Sequence, residues 1–180
     1  MSAQCCAEVS LLTVREVLQL GNPALREKSA LVDDFSILPR LQEDLRDTLA
    51  HWRRTTGYGR GIAAPQIGVL KRIVFINVDR PWLLVNPAIT WMSQEKMVVW
   101  DACLSYLSVF FQVQRAKKIK VSYVNEDGEE KEVSVEGELS ELLQHEIDHL
   151  DGVLAIDRVL DLRTMCTREE YEKRFAPRHV

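Results

Sequence analysis

The nine residues QHEIDHLDG, Gln144 to Gly152, place the tightest constraint on this 180-residue chain. His145, Glu146 and His149 have the spacing H-E-x-x-H, which on a helix sets two imidazoles one turn apart on one face with a carboxylate beside them. From Gly137 to Leu150 apolar residues recur at helical spacing, with Leu139, Leu142, Leu143 and Ile147 forming a stripe, and Gly152 falls where a helix commonly ends. The stripe predicts a buried helix, in which unpaired charge is costly. Holding a metal ion would remove that cost. Two imidazoles are only two ligands, however, whereas a hydrolytic metal centre takes three and keeps one position open.

The rest of the chain reads as a single domain, residues 1–180, with an N-terminal tail over 1–10 and a peripheral C-terminal tail over about 165–180. Leu38, Leu41, Leu45, Leu49 and Trp52 recur at helical spacing and predict an amphipathic helix from Ile37 to Arg54. RIVFINV, WLLVNPAIT and KMVVW are short runs rich in β-branched and aromatic residues, and predict strands. Two alternating runs around Asn125 to Gly128 predict a hairpin with Asp-Gly at its turn. Helix, antiparallel strands, helix is the order of an α+β fold, with strands packed around a buried central helix that carries HEIDH. A net charge of −4 argues against nucleic acid or anionic membrane as partners. Cys5, Cys6, Cys103 and Cys166 lack the regular spacing of a disulfide framework, and the N-terminus lacks a signal-peptide layout, so a cytoplasmic location is expected.

Candidates for the third ligand are few. The metzincin pattern needs a histidine where Ala155 stands. A thermolysin-like zinc peptidase would use Glu169, Glu170 or Glu172, which lie in the polar stretch TREEYEKR, while His51 and His179 sit on a helix flank and at the last residue but one. Cys103, in WDACLSYL, offers a sulfur suited to zinc or ferrous iron, although a lone cysteine is more often a small buried apolar residue. The residues by themselves leave the choice open. GRGIAAPQ, Gly59 to Gln66, adds paired glycines that permit close backbone approach and an uncharged amide donor in Gln66, without the features of a nucleotide loop.

Taken in chain order, GRGIAAPQ, then CLS, then HEIDH, the sequence resembles the peptide deformylase family, whose motifs are G-x-G-x-A-A-x-Q, E-G-C-L-S and H-E-x-D-H. The resemblance runs from about Val14 to about Val159. It implies a metal-dependent amide hydrolase of protein biosynthesis that removes the formyl group from the N-terminal formylmethionine of new polypeptides. Formylated nascent N-termini are then the partners, and the ribosome a candidate partner. Cys103, His145 and His149 become the metal ligands, with Fe(II) as the implied ion and zinc, nickel or cobalt admitted by the same ligands. Glu146 becomes the proton-transfer group, and the Gln66 amide and the backbone N–H of Leu104 become the donors to the developing oxyanion. Gly59, Arg60 and Gly61, with Val99, Leu142, Glu138 and Glu141, are expected around the substrate.

Two departures from the family pattern carry expectations of their own. Asp101 and Ala102 stand where the family has Glu-Gly, and Asp101 is expected to pair with Arg115 behind the cysteine. Arg60, Glu138 and Glu141 replace apolar residues expected near the substrate's first side chain, so Arg60 paired with one of the two glutamates would make that pocket polar. This motivates an alternative: a deformylase-like protein with altered substrate preference or weak activity.

Overall fold

The computed structural model describes residues 13–175, so Cys5, Cys6, His179 and the 1–10 tail lie outside the described residues. Among the described residues, two antiparallel sheets and three α-helices form an α+β fold. Helix α1 (Leu38–Thr56) precedes β1 (Gly61–Ala63), β2 (Ile73–Asn77) and β3 (Pro81–Met92). Strands β4 (Lys96–Asp101), β5 (Val109–Ala116), β6 (Lys118–Val124) and β7 (Glu130–Glu136) lead to helix α2 (Glu138–Leu150), followed by β8 (Cys166–Thr167) and α3 (Arg168–Phe175). One sheet has the order β1-β2-β3-β6-β7 and the other β4-β5-β8. No helix among the described residues is long and apolar enough to cross a membrane.

The unbroken apolar run of β2 follows from its position between two layers. Ile73 and Phe75 pack with Leu41, Leu45 and Leu49 of α1. Their alternating neighbours, Val74 and Ile76, pack with Leu142, Leu143, Ile147 and Leu150 of α2. Both faces of the strand are dry, so apolar and polar residues have no reason to alternate.

Helix α2 is pinned as well as packed. The Gln144 side chain accepts a hydrogen bond from the Ala116 N–H at 3.0 Å and donates to the Ala116 carbonyl at 2.9 Å, and the Ser140 hydroxyl donates to that same carbonyl at 2.9 Å. These bonds lock the register of α2 against the end of β5, one residue before His145. Gly152 ends the helix with φ +70°, and a Cβ there would lie 2.3 Å from the Arg26 carbonyl oxygen. Only glycine allows the chain past that point.

Within the expected peripheral tail from residue 165, residues 166–175 form a short strand and a helix, and no residue of the helix is buried. β8 pairs with β5 through Val109↔Thr167 and Phe110↔Cys166. Tyr171 then stacks on Phe110 with ring centroids 4.3 Å apart and planes 16° apart. The charges of TREEYEKR concealed an i,i+4 apolar pair, Tyr171 and Phe175, which share one face of α3.

Candidate metal centre and its cleft

Helix α2 presents His145, Glu146 and His149 inward, all buried. Cys103 joins them from the other sheet. It follows β4, is extended (φ −130°, ψ 144°), and precedes a 3-10 turn over Leu104–Tyr106. Donor atoms of Cys103, His145 and His149 lie within 4.8 Å of one another, and the Cys103 sulfur is 3.3 Å from His149 Nε2. Bonds of about 2.0–2.3 Å to a shared ion require separations of this order. A buried sulfur and two imidazoles converging without a charged side chain among them fit one divalent cation. Glu169, Glu170 and Glu172 do not belong to this group of donors, and His51 stands on α1 beside Arg54.

Behind the three donors runs a chain of buried charges. Asp101 accepts from His145 Nδ1 at 2.8 Å through one oxygen and from Arg115 at 3.1 Å through the other. Arg115 reaches on to Asp148 at 2.6 Å, and Arg158 grips Asp148 from outside. The expected Asp101–Arg115 pair is thus present, and the shorter acid also touches a ligand. With Nδ1 engaged, His145 has Nε2 left for the centre. Burial pushes the Asp101 carboxyl up, but His145 and Arg115 outweigh it and hold the pKa at about 2. Burial also acts downward on His145, and Asp101 reverses it, raising that imidazole. His149 has no such partner, and burial with the neighbouring His145 keeps it well below its ordinary value, in the neutral form that ligates.

Glu146 is set apart from the ligands. One of its oxygens, Oε2, is buried without a hydrogen-bond partner, and burial drives its pKa up to about 7. Gly61 of β1 passes directly over this carboxylate: a Cβ on Gly61 would stand 2.6 Å from Glu146 Oε1 and 3.0 Å from Cδ. We therefore expect Gly61→Ala to displace the Glu146 carboxylate and lower turnover at this centre at least about tenfold, alongside an unchanged melting temperature.

Gln66 lies in the 3-10 turn after β1. Its Oε1 accepts from the Ala63 N–H at 2.9 Å, which turns the NH2 toward the Cys103 sulfur (3.4 Å) and the Ser105 hydroxyl (3.3 Å). The backbone N–H demands oxygen, so the side chain holds its amide facing the centre. Ser105 had no role assigned from the sequence, although it stands inside the CLS motif.

A cavity of about 390 Å³ opens over the centre and includes Gly59, Arg60, Gly61, Leu104, Glu141 and Leu142 in its lining. Arg60 and Glu141 pair across it at 2.7 Å. Two expected members are absent from this wall. Val99 packs behind Cys103, and Trp100, Asp101 and Ala102 of the same segment line the cavity instead. Glu138 shares the ligand face of α2 but stands about 10 Å further along the axis from His145. It lines a separate recess with Arg80 and Trp82 on the far side of Arg60. Tyr58, Trp100, Leu107, Phe110 and Tyr171 line the cavity and had no role from the sequence. Aromatic composition in the nearby segments was the available signal, but it could not say which rings meet.

Comparison with known proteins agrees with this geometry. A sequence model described as polypeptide deformylase matches residues 14–165. The peptide deformylase of Bartonella tribocorum is 35% identical over 172 residues, spanning 91% of this chain and 94% of that protein. That of Pseudothermotoga lettingae is 39% identical over 160 residues, spanning 87% and 90%. Among solved structures, the Thermotoga maritima peptide deformylase superposes with a TM-score of 0.77 at 35% identity, covering 82% of this chain and 99% of that one. The Acinetobacter baumannii peptide deformylase with Met-Ala-Ser bound gives 0.76 at 29% identity, covering 81% and 98%.

Proposed function

Because the chain belongs to the polypeptide deformylase family and is a hydrolase that removes N-formyl groups, we propose that Cys103, His145 and His149 hold the divalent ion of its reaction and that Glu146 moves the proton. The observation that carries this assignment is the buried, unpartnered Glu146 oxygen beside a three-donor cluster, two of whose donors share its helix. A divalent ion held there supplies Lewis acidity toward water and toward the formyl oxygen. Fe(II) is the proposed ion, since sulfur with two imidazoles suits it, and zinc, nickel or cobalt fit the same donors.

The residues then divide the work. Glu146 takes a proton from water as the water oxygen bonds to the formyl carbon. The C–N bond breaks, formate leaves, and Glu146 returns the proton to the departing nitrogen. A carboxyl raised to about 7 by burial suits both directions near neutral pH. The Gln66 NH2, fixed by Ala63, and the Leu104 N–H donate to the oxygen on which charge develops. The backbone of Gly59 to Gly61 accepts the peptide as an added strand, which makes recognition tolerant of sequence.

The proposed substrates are formylated N-termini of newly made polypeptides, and the proposed setting is the cytoplasm, with the ribosome as a candidate partner. Formate release from formyl-Met-Ala-Ser, with metal content measured on the same sample, tests the assignment. Metal bound at one per chain with turnover supports it, whereas turnover that survives removal of Cys103, His145 and His149 together would refute it.

One observation favours a second reading of the pocket. The Arg60–Glu141 pair puts charge where the first side chain of the peptide is expected, and an apolar thioether gains little beside it. Across formyl peptides varied at the first residue, the wild type should prefer a polar side chain over methionine, and Arg60→Leu with Glu141→Leu should restore methionine by at least about tenfold in kcat/KM. Family-like preference for methionine in the wild type would refute this.

A further inference from the structure

The aromatic end of the cleft is not needed for chemistry at the metal centre. Tyr58, Trp100, Phe110 and Tyr171 line the same cavity as Gln66, Cys103 and Glu146 and form one cluster of touching rings. Phe110 and Tyr171 stack at 4.3 Å, Trp100 meets Tyr171 edge-on at 5.3 Å, and Tyr58 meets Phe110 edge-on at 5.5 Å. Phe110 is buried beneath the others. Tyr58, Trp100 and Tyr171 are each half-buried, leaving ring surface open to the recess.

Helix α3 offers no other reason for docking here. None of its residues is buried, and its sequence REEYEKRF is charged apart from Tyr171 and Phe175. Both rings face Trp100, at 5.3 and 4.8 Å. The helix is also tied to the opposite lip of the cleft, where the Tyr58 hydroxyl donates to Glu172 at 3.1 Å. Tyr58 adjoins Gly59, the start of the segment proposed to hold the peptide backbone. The wall therefore stands beside the path of the substrate, beyond the formyl end. The stretch matched by the family stops at residue 165, so Tyr171 and Phe175 lie outside it, while Tyr58, Trp100 and Phe110 lie within it.

Resting on the deformylase reading above, we infer that Tyr171, with Trp100 and Tyr58, forms a subsite that selects formyl peptides carrying an aromatic side chain at the second or third residue. Open ring edges and faces receive another ring in offset or edge-on geometry, which aliphatic side chains cannot match.

The test compares formyl-Met-Ala-Ser with formyl-Met-Phe-Ser and formyl-Met-Ala-Phe on the metal-loaded full chain. The wild type should favour one phenylalanine peptide by about tenfold in kcat/KM, with the difference carried by KM. Tyr171→Ala should reduce that ratio to near unity, and Tyr171→Phe should keep it. Far-UV circular dichroism and melting of both variants establish that α3 and the fold persist. As a readout apart from turnover, Met-Phe-Ser or Met-Ala-Phe should perturb tryptophan fluorescence more strongly than Met-Ala-Ser, and less so in Tyr171→Ala. Equal kcat/KM for all three peptides in the wild type, or a ratio that survives in Tyr171→Ala, overturns the subsite and leaves the deformylase reading intact. Formate from none of the peptides overturns both.

Discussion

Glu146→Ala retains its metal and releases formate between about a hundredfold and ten-thousandfold more slowly than the wild type. Metal is retained because the three donors belong to Cys103, His145 and His149, and the carboxylate contributes none of them. The rate falls because no other carboxylate in the cavity is positioned to replace it. Asp101 is committed to His145 and Arg115, and Glu141 to Arg60. The loss belongs in kcat, since proton transfer strengthens in the transition state and not in ground-state binding. Glu146→Gln keeps the shape and removes the base, and should be similarly slow. Metal analysis and single-turnover formate release on one preparation decide the matter. A variant that loses metal in step with activity would show that Glu146 is structural, and the assigned role would be withdrawn.

Asp101→Ala removes a group on which two buried side chains, Arg115 and His145, depend. Arg115 and Asp101 are each 2% exposed at the side chain, so the guanidinium loses a partner it cannot replace with water. Breaking a buried pair by deleting one member costs about 3–5 kcal/mol, and the remaining contact of Arg115 with Asp148 places the expected loss near the lower limit. His145 Nδ1 is freed as well, and with it the orientation of a ligand, so metal affinity should fall by about ten- to a hundredfold. Urea unfolding of the chelated protein reads the first effect and competition with a chromophoric chelator the second. Asp101→Asn separates them: it can still accept from His145, yet it leaves the Arg115 charge poorly compensated. An unchanged unfolding midpoint together with unchanged metal affinity in Asp101→Ala would defeat this account of the Asp101 network.

Much of the site was written locally. His145, Glu146 and His149 share one helix face, and their juxtaposition follows from 3.6 residues per turn, with the apolar stripe of α2 deciding which side faces the core. The same holds for Gly59 to Gln66, where the short loop from β1 into a 3-10 turn brings the Gln66 amide back against Ala63. Other expectations failed where packing or axial distance mattered. Val99 packs behind Cys103 and not on the cavity, and Glu138 stands two turns along α2 from His145, in a separate recess.

Local periodicity in the sequence therefore determined α1, α2, the strands β2, β3 and β4, the hairpin of β6 and β7 and the two-histidine face, since each depends on neighbours a few residues apart. Only the tertiary structure decided that the sulfur of Cys103 meets those histidines, that Asp101 joins His145 to Arg115, and that Tyr171 lines the cleft. These meetings are made by segments far apart in the chain and brought together by burial of apolar surface on both sides of β2 and around Phe111. Burial of that kind is non-directional, so residue types and spacing did not specify which distant side chains would converge.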